Sequence, residues 1–197
     1  MAPTPVQEFW NWFSKNHGDF GEQFENRALI EQLDAWVTTL GPYVWEIGPG
    51  LTEANALVIS PGGDPELLEE TKRIVALAPA LEGWEFHSTK PQKAWNLTFE
   101  ILTDMFQLEV KAHDWRYVLL RYPDGKFEII LRAPELMGLE PDTRTTAAEI
   151  LLDGMLGEAM RMQFIDVIDV VGEYEAAHAQ KNNAIEHLPA HLAKLTA

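Results

Sequence analysis

Tyr43-Val44-Trp45-Glu46-Ile47-Gly48-Pro49-Gly50 and Ala56-Leu57-Val58-Ile59-Ser60-Pro61-Gly62-Gly63-Asp64 decide the fold of this chain. Each is a short run of aliphatic and aromatic residues that ends in glycine and proline, the composition of a strand and the turn that stops it. The link between them, with Thr52, Glu53 and Asn55, is short enough to join antiparallel neighbours. Asp64-Pro65 then supplies an N-cap and a helix-initiating proline. Leu67, Leu68, Thr71, Ile74, Val75 and Ala78 follow at helical spacing. Gly83-Trp84-Glu85-Phe86 begins a third strand, so the order strand, helix, strand reads as a crossover unit, closed by Lys90-Pro91.

Upstream, Thr4-Pro5 with Gln7 writes a capping box, and Val6, Phe9, Trp10 and Phe13 make an aromatic helical stripe that Gly18 ends. A second helix is expected over 21–40, with Leu29, Ile30, Leu33, Trp36, Val37 and Leu40 as its apolar face. Downstream, Trp95, Leu97, Phe99 and Ile101 alternate with polar residues, which predicts a strand over 95–102. Phe106, Leu108 and Val110 predict another. Residues 115–122 and 126–131 flank Pro123-Asp124-Gly125 and predict a β-hairpin. Thr146 and Glu149 suggest a second capping box, before a helix ended by Gly157. The alternation from Met160 onward predicts a strand over 159–169, with a helix as the competing reading. The tail from Glu173 is helical in composition and is broken at Pro189.

The expected fold is thus α+β: a mainly antiparallel, twisted sheet with helices packed on it. It forms a single domain over 1–197, with a helical pair over 1–41, a sheet with one crossover helix over 43–132, a helix and strand over 145–171 and a helical tail over 173–197. Pro134, Gly138 and Pro141 make 133–144 the best candidate for a boundary within it.

Composition narrows the function classes. Hydrophobic residues are 46% of the 197, and seven are tryptophan, enough for a sizeable core. The absence of cysteine excludes disulfides and thiolate chemistry. No basic region leads into an apolar run at the N-terminus, and no apolar run approaches the ~20 residues that span a bilayer. A soluble cytoplasmic protein without a membrane partner is the expectation. A net charge of −16 argues against nucleic acid, whose phosphates require cations, and permits a basic protein partner, although a solvated acidic surface accounts for the charge by itself. The sequence assigns no oligomeric state.

Several motifs carry a resemblance: Phe9-Trp10-x-Trp12-Phe13; Trp45-Glu46-Ile47-Gly48-Pro49; Leu57-Val58-Ile59-Ser60-Pro61-x-Gly63-Asp64; Ala78-Pro79-x-Leu81-x-Gly83-Trp84-Glu85-Phe86; Leu152-Asp153-x-x-Leu156-Gly157-Glu158; and Ile165-x-x-Ile168-Asp169. In this order they resemble a family of bacterial cytosolic proteins with no established activity, whose similar domains occur in toxin–immunity neighbourhoods. The resemblance covers the chain up to Glu173. It implies an α+β domain and a bacterial origin, and it transfers no catalytic residue.

Candidate chemistry is sparse. Ser60 precedes a turn but lacks the Gly-x-Ser-x-Gly of a nucleophile elbow. Gly48-Pro49-Gly50 and Gly62-Gly63 match neither the dinucleotide nor the Walker pattern, so no cofactor is expected. His187 and His191 stand four apart, a spacing able to hold zinc on one helical face, although Pro189 lies between them. Glu46 and Glu85 each follow a tryptophan on an expected core strand. On neighbouring strands they could face one side and serve as general acid and base. Asp153 and Glu158 flank the Leu156-Gly157 turn, where a buried carboxylate needs a cation or backbone donors. The preferred reading is non-enzymatic binding of another protein, with a basic partner and an immunity-like role as its specific form. The alternatives are a hydrolase using Glu46 and Glu85, or a sensor with a small ligand among the tryptophans.

Overall fold

The computed structural model describes residues 2–102 and 107–196. The chain divides into two compact units, Met1–Lys90 and Pro91–Ala197. Each has its own apolar core. The fold class is α+β, and four of the six strand pairings among the described residues are antiparallel.

In the first unit, α1 (Pro5–Asn16) starts on the expected capping box: Gln7 N–H donates to Thr4 Oγ1 at 3.3 Å, and Thr4 N–H to Gln7 Oε1 at 2.9 Å. It buries Phe9, Trp10 and Phe13. Helix α2 (Arg27–Leu40) begins later than residue 21, because Asn26 takes the cap position and binds back to the Asp19 carbonyl at 2.8 Å. The preceding loop buries Phe20 in the core. Strands β1 (Val44–Pro49) and β2 (Asn55–Ser60) form the expected antiparallel hairpin. Helix α3 (Leu68–Val75), entered through a 3-10 turn at Pro65–Leu67, leads to β3 (Trp84–His87), which runs parallel to β2. The sheet order is β1-β2-β3. Trp45 and Trp84 join one cluster with the α1 aromatics, in which the Phe13 and Trp84 rings meet edge-on at 5.0 Å. Each fully buried ring side chain contributes about 1.5–3 kcal/mol, so this face holds the unit together.

The sheet expected over 43–132 is not continuous. Beyond Pro91 the strands belong to two further sheets. The first is a hairpin of β4 (Thr98–Leu102) and β5 (Gln107–Lys111); Phe106, expected in β5, lies outside the described residues. Strand β4 starts after Leu97, whose φ of 58° breaks the extended run. Trp95 instead packs against α4 (Pro141–Leu156). The second sheet holds the expected hairpin of β6 (Arg116–Arg121) and β7 (Phe127–Arg132). The 133–144 stretch is no boundary. It contains a 3-10 turn at Pro134–Leu136 and the start of α4. That helix begins at Pro141, so Thr146 is interior and donates to the Asp142 carbonyl at 3.0 Å instead of capping.

The strand expected over 159–169 is split into α5 (Glu158–Phe164) and β8 (Ile165–Val171). Burial follows the helical period through Glu158, Arg161 and Ile165, because Arg161 must reach back to Asp153 on α4. Strand β8 runs parallel to β7. The tail is not simply helical. After α6 (Ala176–Ala179), Asn183–Ala184 pair with β6 as β9, giving the order β8-β7-β6-β9. Pro189 sits in the first turn of α7 (Leu188–Thr196), where its missing N–H costs nothing. Ile185, Leu188 and Leu192 are fully buried in the second core.

Candidate functional site

Glu46 and Glu85 sit on β1 and β3, the two strands that flank β2. Glu46 is level with Val58 and, across β2, with His87; Glu85 is level with Ala56. Alternation places both carboxylates on the sheet face opposite Trp45 and Trp84, as the sequence allowed. They are not on adjacent strands, however. Two strand spacings of about 4.8 Å separate their backbones.

Glu85 is enclosed by its own chain. Leu51 N–H donates to Oε1 at 2.5 Å. Thr52 N–H donates to Oε2 at 2.9 Å, the Thr52 hydroxyl at 2.5 Å and Glu53 N–H at 3.1 Å. His87 Nε2 lies 2.9 Å from Oε1. These partners, the Thr52 hydroxyl foremost, then His87 and the Leu51 N–H, hold the carboxyl well below the usual glutamate range. A carboxylate so stabilised is a poor general acid and a weak base. Its evident work is to fasten the β1–β2 loop to β3.

The other candidates also have structural partners. Ser60 is buried, and its Oγ accepts from Gly62 N–H at 2.9 Å, which closes the turn. Asp64 accepts from Glu66 N–H at 2.9 Å at the start of the 3-10 turn. His187 and His191 are not arranged as a ligand pair. His187 is exposed beside Glu186, whereas His191 Nδ1 is 2.8 Å from the hydroxyl of buried Tyr117. Among the described residues no group of three or more His, Cys, Asp or Glu is placed to hold a metal ion.

Asp153 and Glu158 are both buried at the α4–α5 junction. Asp153 accepts from Arg161 Nε, and Arg161 Nη1 is 3.9 Å from Glu149. Arg161 did not stand out in the sequence, because an arginine in an alternating run reads as exposed. Its signal was the stretch Asp153 to Arg161, two helical turns apart with a glycine bend between them.

A cleft of about 440 Å³ opens in the second unit between β5, the 3-10 turn at Ala112–Asp114 and the 132–136 segment. Trp115 and Leu136 form its buried floor, and the Trp115 indole N–H donates to Glu135. No motif marks this cleft. Glu135 is one acidic residue among many, and its partner is twenty positions away.

No protein-family model, curated protein or solved structure matches the chain. Among the described residues no helix is long and apolar enough to cross a membrane.

Proposed function

We propose that this chain is a non-catalytic, cytoplasmic binding protein whose partner is a basic protein. The observation that carries the reading is the placement of its carboxylates. Glu85, the acid–base candidate with the most developed surroundings, is used to hold a loop, and both units have acidic excess. Residues 1–90 contain fourteen acidic and five basic side chains, and residues 91–197 contain seventeen and ten. Such a surface steers a cationic protein and disfavours phosphate backbones. The resemblance to proteins of toxin–immunity neighbourhoods makes an immunity-like role the specific form of this reading. The hydrolase alternative needs Glu46 and Glu85 at one reacting atom and draws no support from strands that flank a third. The sensor alternative draws none from rings that pack on one another at 4.6–6.4 Å.

Affinity capture from the source cell at low ionic strength tests the proposal. The expected result is a reproducible partner of high pI, released near 1 M salt, where the screening length falls to about 3 Å. Capture of nothing reproducible, or of a partner held equally in high salt, overturns it.

A further inference from the structure

Resting on that reading, we propose that the cleft beside Trp115 is the recognition pocket for an arginine side chain of the basic partner, with Glu135 as its counter-ion.

Charged side chains line the rim of the cleft. Lys111 Nζ is 2.9 Å from Glu109, and His113 Nε2 is 3.1 Å from Asp114. Arg132 is forked onto Glu173, with contacts of 2.8 and 3.2 Å. Each of these cationic or potentially cationic side chains therefore already has a carboxylate. Glu135 differs: the hydrogen bond the structure gives it comes from a neutral donor, the Trp115 indole. Arg132 also feels its field, but the guanidinium is committed to Glu173. Arg132 thus faces two carboxylates, Glu173 and the exposed Glu135, which leaves net negative charge at the cleft, and Glu135 is held there by the Trp115 side chain, which is 2% exposed.

A second observation has the same sign. In the β4–β5 register Glu100 stands directly opposite Glu109. Glu109 is paired with Lys111 and Glu100 accepts from Gln107 Nε2 at 2.7 Å, so these side chains together carry one net negative charge next to Glu109, which lines the cleft.

The floor selects the kind of cation. Trp115 and Leu136 are apolar and buried, and partly buried Leu108 lies beside them. A long side chain lays its methylene stem on such a surface while its head reaches a carboxylate. The volume of about 440 Å³ falls within the range of small-molecule sites, about 300–1,000 Å³, and admits one such side chain with water. Arginine suits the head position better than lysine. Its planar fork matches a carboxylate and is weakly hydrated.

The test is titration of fluorescently labelled nona-arginine, with nona-lysine and an uncharged glycine–serine peptide as comparators, into the full chain at low salt. The wild type should bind nona-arginine more tightly than nona-lysine. Glu135→Gln keeps an acceptor for the indole and should weaken nona-arginine binding about three- to fivefold, the upper range for an ion pair at an exposed carboxylate. Glu135→Asp, which keeps the charge but withdraws it, should fall between. Glu186→Gln removes an exposed charge outside the cleft and should change affinity less than about twofold, as screened surface charges do. Equal effects of Glu135→Gln and Glu186→Gln, or equal affinity for both cationic peptides, overturn the pocket while leaving the basic-partner reading in place. Failure of the wild type to bind either cationic peptide overturns both.

Discussion

Thr52 binds the Glu85 carboxylate twice, through its backbone N–H at 2.9 Å and its hydroxyl at 2.5 Å. The contact joins residues 33 positions apart and ties the hairpin loop to the strand that follows the crossover helix. Glu85→Gln substitutes an amide that can accept at one oxygen only and sets its NH2 group against backbone donors. The expected cost is about 1–3 kcal/mol, the range for donors left without a partner in a partly buried place. A lower urea midpoint with an unchanged m-value is the expected readout; an unchanged midpoint removes the loop-fastening role.

The same contact sets the acid limb of stability. The folded carboxyl titrates below its ordinary value of 4.5, so the unfolded chain binds the proton more readily. Stability from Glu85 is therefore complete above pH 4.5 and is lost as pH falls through the depressed value. Urea midpoints of wild type and Glu85→Gln measured from pH 7 downward should converge below pH 4.5. Parallel curves across that window rule out the linkage.

Gly154 lies in the buried part of α4, and a Cβ there would fall less than 3.0 Å from three ring atoms of Trp95. In an open helix Gly→Ala stabilises by about 1 kcal/mol. Overpacking costs about 1–3 kcal/mol, so the steric effect outweighs propensity and Gly154→Ala should destabilise. In a Trp95→Ala background the same substitution should become neutral or stabilising. That reversal of sign, read by thermal or urea unfolding, is the check; a stabilising effect in the wild-type background contradicts the close approach.

How far the fold was legible depended on how local its causes are. The Thr4–Gln7 box, the α1 aromatic stripe, the β1–β2 and β6–β7 hairpins and the β2–α3–β3 crossover are all encoded within a few residues of themselves, and all formed. Residues 160–164 alternate in polarity, yet they form a helix because Arg161 binds a residue eight positions back. Strand β9 is two residues long and exists through its pairing with Arg116 and Tyr117, so no periodicity could mark it. At the candidate sites, parity put Glu46 and Glu85 on one face. The 51–53 donors that hold Glu85 and the Glu173 carboxylate on Arg132 come from distant sequence, beyond the reach of a motif.

Tyr117 pairs with His191 inside the second unit, and burial pushes its phenol up to about 12 from 10.0. The folded state thus favours the protonated phenol. This contribution is complete below pH 10 and is lost as pH rises toward about 12. Tyr117→Phe keeps most of the ring's packing and should cost about 1 kcal/mol at neutral pH for the lost hydrogen bond. Its alkaline limb should be flatter than that of the wild type, and one phenolate should vanish from the high end of the absorbance titration. A variant with an unaltered alkaline limb would place that instability elsewhere.

Asp153 and Arg161 are 4% and 6% exposed, which makes their pair a test of what the α4–α5 junction depends on. Removing one partner leaves a buried charge, at a cost of about 3–5 kcal/mol. Arg161→Met should fall at the lower end of that range, since the Asp153 carboxylate stays behind but keeps a further contact. Replacing both partners by apolar residues of similar size is often neutral or better. The double variant Asp153→Leu/Arg161→Met should therefore recover most of the stability lost in Arg161→Met. Equilibrium unfolding of the two single variants and the double closes the cycle. If the losses simply add, the pair is not coupled, and α5 is helical for a reason other than Arg161 reaching back to α4.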